Sequence, residues 1–294
     1  RMLDQDKRIA AVFVPPPAEP TWVASALHLT DKLRLQRDAQ GSGCEANRRG
    51  SFVSLHSGLS MGGGSKVPGR LQKTAEQRRM EKELHDDPHF QRIAGYQSEL
   101  MCSNFPGPWG YAYQIMEELL DHDKTAKLNF PGRSIYSGFT VNYGPKTATL
   151  PHLDSNNHPG TPCVITCLGC FDHRRGAHIV FPGLKVFVQF PPLCSVLLSS
   201  AGLLHGNTQV LGDGERFSIT QYLSGGLVRY VEMGFRNVNE FETVAERICA
   251  DAPPGVRWVE QVDRVSTPSS LVEDRKRMVR SLLPKSKWEF AKSK

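Results

Sequence analysis

Between Ser134 and Gly226 the chain runs through "SIYSGFTVNYG", "TATLPHLD", "CVITCLGCF", "AHIVF", "LKVFVQFPP", "SVLLSS" and "RFSITQYLSG" with no helix-length segment between them. Each stretch is short and rich in β-branched and aromatic residues, and Gly, Pro, Asn or Asp clusters separate them. Many short strands at such spacing predict an antiparallel barrel or a two-sheet sandwich, a set that includes jelly rolls.

The flanks read differently. "LQKTAEQRRMEKELHDD" is charged and helix-favouring and stops before Pro88. "PHFQRIAGYQSELMC" and "PWGYAYQIMEELLDHDK" carry apolar residues at helical spacing, and helical patterns return in "NEFETVAERICAD" and "SSLVEDRKRMVRSLL". Residues 1–69 combine "VPPPAEP", "AQGSGCEANRRGS" and "SMGGGSKVPG", the punctuation of loops. The expected fold class is α+β. Residues 1–69 are expected as a loop-rich N-terminal extension and 70–294 as the main domain. Within the latter, helices at 70–130 support a β core at 134–226, and C-terminal helices fill 237–294.

Composition excludes little. Apolar residues make up 39% of the 294 and charged ones 22%, as in ordinary globular chains. No apolar run approaches ~18 residues, so no membrane partner is expected. The start "RMLDQDKRIAAVFVPPP" has no secretory-signal pattern. Seven scattered cysteines suit free thiols. Cys167 and Cys170 form a Cys-x-x-Cys, but a zinc site needs four ligands and no second pair exists. Alternation with Val164, Ile165 and Leu168 instead marks Cys163 and its neighbours as small strand residues. The net charge of +6 is a modest bias toward polyanions. It gathers in "NRRGS", "EQRRMEK" and "DRKRMVRSLLPKSKWEFAKSK", the last of which reads equally as a solvated helix and tail.

The chemistry lies in "LPHLDSNNH". On a strand, residues i and i+2 share a face, so His152 and Asp154 can reach one point. His205 follows about fifty residues later, at the end of "SVLLSSAGLL", and Arg216 and Ser218 share a face in "RFSIT". Two histidines and a carboxylate are the facial set of non-haem Fe(II) oxygenases, which leaves coordination positions open. Arg with a hydroxyl two residues on suits the remote carboxylate of a chelating 2-oxo acid. Each piece has a bland counterpart. His85-Asp86-Asp87 is another His-x-Asp, read as a solvated helix end, and Arg49-Gly50-Ser51 and Arg264-Val265-Ser266 are other Arg-x-Ser triplets. Only the ordered set, all in β-pattern, singles out one site. His158 reads as a turn residue, His178 as a strand start beside the basic turn of Arg174 and Arg175, and neither is expected to bind metal.

With those motifs in hand, the chain resembles the TET/JBP-like Fe(II)/2-oxoglutarate dioxygenases, in particular the fungal, transposon-associated branch. The resemblance runs from "HSGLSMGGGSKVPG" to "GGLVRYVEMGFR" and includes "FTVNYGPKTATLPHLD", "CVITCLGCFDHRRGAHIVF", "SSAGLLHGN" and "ERFSITQYLSGGL". It implies a double-stranded β-helix (jelly-roll) core flanked by helices, with His152, Asp154 and His205 as iron ligands and catalytic residues. It further implies Arg216 and Ser218 as 2-oxoglutarate anchors, and Asn142 and Asn157 facing cofactor or base. The cofactors implied are Fe(II) and 2-oxoglutarate, with O2 as co-substrate. The substrate implied is methylated double-stranded DNA, 5-methylcytosine being oxidised to 5-hydroxymethylcytosine and further forms, with the nucleus as location and no obligate protein partner. The alternatives are N6-methyladenine demethylation, and the same chemistry on RNA, protein or a small molecule. A DNA-gripping module without activity is a third reading, against which the intact residue set argues. "FDHRRGAHIVFPGL" and "LLHGNTQVLGDGER" depart from the branch's commoner forms, which bears on substrate preference and leaves the metal set untouched.

Overall fold

The computed structural model describes residues 1–40, 46–47, 49–62, 64–253 and 255–282. The chain opens with strands β1 (Met2–Leu3) and β2 (Ile9–Val14) and helix α1 (Pro20–Ala39). Strands β3 (Ala46–Asn47), β4 (Gly50–Ser51), β5 (Ser54–Ser60) and β6 (Gly69–Arg70) follow. Next come helices α2 (Ala75–His85), α3 (Pro88–Asn104) and α4 (Pro106–His122). The β-rich region holds β7 (Gly138–Asn142), β8 (Cys163–Cys170), β9 (Ile179–Phe181), β10 (Val186–Val188), β11 (Ser195–Leu198), β12 (Gly206–Asn207) and β13 (Glu215–Tyr222). Helices α5 (Gly225–Glu232), α6 (Val244–Ala250), α7 (Val256–Asp263) and α8 (Leu271–Leu282) end the described chain. None of the described helices is long and apolar enough to cross a membrane.

An eight-stranded antiparallel sheet in the order β1-β2-β11-β8-β13-β7-β5-β6 is joined by a three-stranded one, β10-β9-β12. This is a double-stranded β-helix with helices packed on the larger sheet. Period-two alternation decides what each face does. On β13, Phe217 and Ile219 join Phe139 and Val141 of β7 in a buried cluster with Trp22, Leu29 and Leu33 of α1 and Phe90 and Ile93 of α3. The intervening Arg216, Ser218, Thr220 and Tyr222, with Thr140 and Asn142, turn the other way and line a cavity. The same strands therefore build the helix interface with one parity and the site with the other.

A buried polar network fixes α3 on the sheet. Gln97 Nε2 donates to Thr166 Oγ1 at 2.8 Å and Ile219 O at 3.0 Å, and its Oε1 accepts from Gln221 Nε2 at 2.9 Å. Buried amides satisfied this fully favour one register over its neighbours.

Three expectations need correction. Residues 1–69 are not merely loop-rich: they carry the 20-residue α1, and β2 and β5 pair with β11 and β7 of the larger sheet. A segment such as "IAAVFV" is completed as a strand only by Ser195–Leu198, far away in sequence, so local pattern undervalues it. "TATLPHLD" forms no strand beyond an isolated bridge between His152 and His205, because Pro151 has no N–H to give a ladder. Asp87 is not solvated. It is 3% exposed, caps α3 through the backbone N–H groups of His89 and Phe90, and holds Lys32 at 2.6 Å. Burial against Phe130 and Phe139 also holds the neighbouring His85 imidazole below its ordinary pKa. Of the basic segments, Arg48 and residues 283–294 lie outside the described residues.

Candidate metal centre

His152 and His205 exchange backbone hydrogen bonds, His152 N to His205 O at 2.9 Å and His205 N to His152 O at 3.1 Å. This single bridge brings the imidazoles together with ring centroids 4.5 Å apart. Asp154 is placed by its own N–H, which donates to Ser200 O at 2.9 Å, and by the turn that Asn157 N closes on Asp154 O at 2.8 Å. So the two residues of His-x-Asp converge by separate backbone anchors rather than by strand parity.

The nitrogen that faces the centre is decided by hydrogen bonding. His152 Nδ1 lies 2.7 Å from Leu150 O and His205 Nδ1 lies 2.8 Å from Leu203 O. A carbonyl only accepts, so each Nδ1 carries a proton, and in the neutral form of either ring it is Nε2 that offers the lone pair. Burial, helped by the neighbouring His152, lowers the pKa of His205 despite its bond to Leu203 O, which keeps it a neutral donor. Ligand atoms of His152, Asp154 and His205 all lie within 4.8 Å of one another, and among the described residues this is the one such group. Two imidazole nitrogens and a carboxylate oxygen on one side of a centre fit a ferrous ion with open positions.

Arg216 lies in the wall of the same cavity and is 3% exposed. Its Nη1 donates to Thr147 O at 3.1 Å, the guanidinium sits 5.9 Å from the Phe190 ring centre, and the Cys167 thiol packs beside it. Its Nε has no hydrogen-bond partner, and no carboxylate pairs with it among the described residues. A buried guanidinium with donors to spare fits an anionic ligand. Ser218 Oγ accepts from Asn142 Nδ2 at 3.0 Å, and Asn157 Nδ2 donates to Ser200 Oγ at 2.9 Å. All seven residues singled out in the sequence line the one cavity of about 430 Å³.

Other members were not legible. Arg49, one of the discounted Arg-x-Ser arginines, forms an ion pair with Asp154, Nη2 to Oδ1 at 2.6 Å. The contact lacks hydrogen-bond geometry at Oδ1, so it is a charge contact. His56 of β5 is pinned by Thr140 Oγ1 at 2.9 Å and Ser54 Oγ at 3.0 Å, and desolvation with Arg49 nearby lowers its pKa. Tyr222 and Lys73 complete this wall. The alternation Ser54, His56 was the available signal, hidden because β5 was not expected as a strand. His158 opens a turn, as its place before Pro159-Gly160 suggests, with Thr161 N donating to its carbonyl at 3.2 Å, but its side chain is buried and bonds Thr161 Oγ1 at 2.8 Å. His178 stands apart, against Phe187. Cys163 and Cys167 are buried on β8, and Cys170 is exposed at its end.

No family model matches the chain, and no curated protein does. Among solved structures, NgTET1 in complex with 5mC DNA is similar at 13% identity and a TM-score of 0.54, over 76% of this chain and 75% of that one. A 2OG-Fe(II) oxygenase family oxidoreductase from Burkholderia pseudomallei aligns at 16% identity and a TM-score of 0.39, over 73% and 86%. A viral collagen prolyl hydroxylase from Paramecium Bursaria Chlorella virus-1 aligns at 11% identity and 0.32, over 72% and 95%. At these identities the likeness to NgTET1 establishes the fold.

Proposed function

We propose that this protein is a TET/JBP-like Fe(II)/2-oxoglutarate-dependent dioxygenase that oxidises the methyl group of a methylated DNA base, 5-methylcytosine before N6-methyladenine. One observation carries the reading: a two-histidine, one-carboxylate group and a buried guanidinium without a carboxylate partner share a single cavity. The fold it shares with NgTET1, whose structure holds 5mC DNA, supports DNA as the substrate class.

His152 and His205 would hold Fe(II) through Nε2 and Asp154 through its carboxylate. Arg216, with Ser218 beside it, would take the remote carboxylate of 2-oxoglutarate, and its burial excludes the water that would otherwise weaken that pairing. With O2, the loaded centre supplies an oxidant able to remove hydrogen from a methyl group as 2-oxoglutarate becomes succinate and CO2. The chain's remaining task is to present the methyl group. A base inside a duplex cannot reach a buried centre, so the nucleotide must be extruded into the cavity. Asn142 and Asn157, with the neutral His56, supply polar groups to orient it. Methylated duplex DNA is then the partner and the nucleus the location.

The test is nucleoside mass spectrometry after incubation with Fe(II), 2-oxoglutarate and duplexes carrying 5-methylcytosine or N6-methyladenine. Hydroxymethylcytosine is expected from the first duplex. His152→Ala and Asp154→Ala should abolish 2-oxoglutarate turnover while leaving duplex affinity largely intact. Retained oxidation in both variants, or no modified base from either duplex, would overturn the reading.

A further inference from the structure

The metal cavity does not end at its own mouth. A second concavity of about 880 Å³ shares Ser60, Leu71, Asn156 and Asn157 with it. A third, of about 210 Å³, shares Met61, Gly62, Gly226 and Arg229 with the second. The three form one trough leading from the metal centre past Met61 and along α5.

Most cations along this trough are neutralised. Arg257 is held by Glu232 and, at 2.7 Å, by Asp251, and Arg236 lies 2.8 Å from Glu246. Arg229 differs. It is exposed at the junction of the second and third concavities, and its side chain has no ion pair or hydrogen bond among the described residues.

The helix that carries it is fixed relative to the loop of the candidate ligand Asp154. Gly225 N donates to Asn156 O at 2.8 Å, which ties the start of α5 to the loop after Asp154. A Cβ on Gly226 would lie 1.9 Å from Met61 O, so only glycine lets α5 approach this closely. Ser224 lines the metal cavity, and Arg229 stands five residues further, about 7.5 Å along a helix axis. That is roughly two nucleotide steps at the ~3.4 Å rise of one DNA strand.

We infer that Arg229 is a phosphate anchor, and that the trough seats the sugar–phosphate backbone flanking the extruded nucleotide. The inference rests on the DNA reading above and adds where the duplex lies. An arginine on a rigid helix fixes register without reading sequence, so methylated and unmethylated duplexes should feel it alike.

The test is fluorescence anisotropy of a labelled 5-methylcytosine duplex across a salt series, with the full chain as wild type, Arg229→Ala and Arg229→Lys. Arg277→Ala, on the exposed face of α8, serves as the control. Arg229→Ala should weaken binding about fivefold to tenfold and lower the slope of log K against log salt by about one. Arg229→Lys should restore the slope, Arg277→Ala should match wild type, and succinate formation without DNA should be equal in all. If Arg229→Ala keeps wild-type affinity and slope while the wild type still oxidises methylated duplex, the anchor is wrong and the enzyme assignment stands. If the wild type itself shows no salt-dependent duplex affinity and no base oxidation, both fall together.

Discussion

Replacing Arg216 by Met separates the demand of stability from that of function. The guanidinium is 3% exposed, has a backbone carbonyl at 3.1 Å and the Phe190 ring near it, and no carboxylate partner among the described residues. An unpaired buried charge costs several kcal/mol, which the carbonyl and ring offset only in part. An apolar side chain of similar length removes both cost and offset, for an expected net gain of about 1–3 kcal/mol. In a domain of this size that raises Tm by roughly 2–6 °C. Ligand binding works in the opposite sense. With metal bound and 2-oxoglutarate at a hundredfold excess over its Kd, the wild type gains about 2.7 kcal/mol, and Arg216→Met should gain almost none. The assay is anaerobic thermal unfolding with Fe(II), with and without 2-oxoglutarate. The variant should melt higher without the co-substrate and lose the co-substrate shift. A variant that melts lower and keeps the full shift would refute the argument that Arg216 is an uncompensated charge awaiting an anion.

Gln97→Leu should destabilise by about 2 kcal/mol by removing the donor shared by Ile219 O and Thr166 Oγ1 and one acceptor of Gln221, read as a lower denaturant midpoint at unchanged m-value. His158 is pushed down to about 4 by burial, then by Arg264 and Arg257, so the folded chain refuses a proton that the unfolded chain accepts near pH 6.5. Stability should therefore fall as pH drops from 6.5 toward 4, by on the order of 3 kcal/mol, and His158→Asn should flatten that stretch of a Tm-against-pH curve. Gly226→Ala should cost more than about 2 kcal/mol through its collision with Met61 O, whereas Gly69→Ala, with open space around it, should melt close to wild type.

What the sequence determined by itself was the chemistry and the class of fold. Short strand patterns without helices between them set an antiparallel core, and His152, Asp154, His205, Arg216 and Ser218 marked a candidate metal and anion site, because residue types and alternation are local properties. Tertiary structure decided the rest. His-x-Asp works through two backbone anchors, to His205 and Ser200, that no i, i+2 rule contains. The first seventy residues turned out to supply β2, α1 and β5, and with them Arg49 and His56, since a strand's partner lies wherever the chain folds back. Each Nδ1 is fixed by a carbonyl only two residues back, but that the two imidazoles face one another, and that a buried guanidinium without a carboxylate partner shares their cavity, became visible only once distant segments were folded together, because pairing across the chain and burial are non-local.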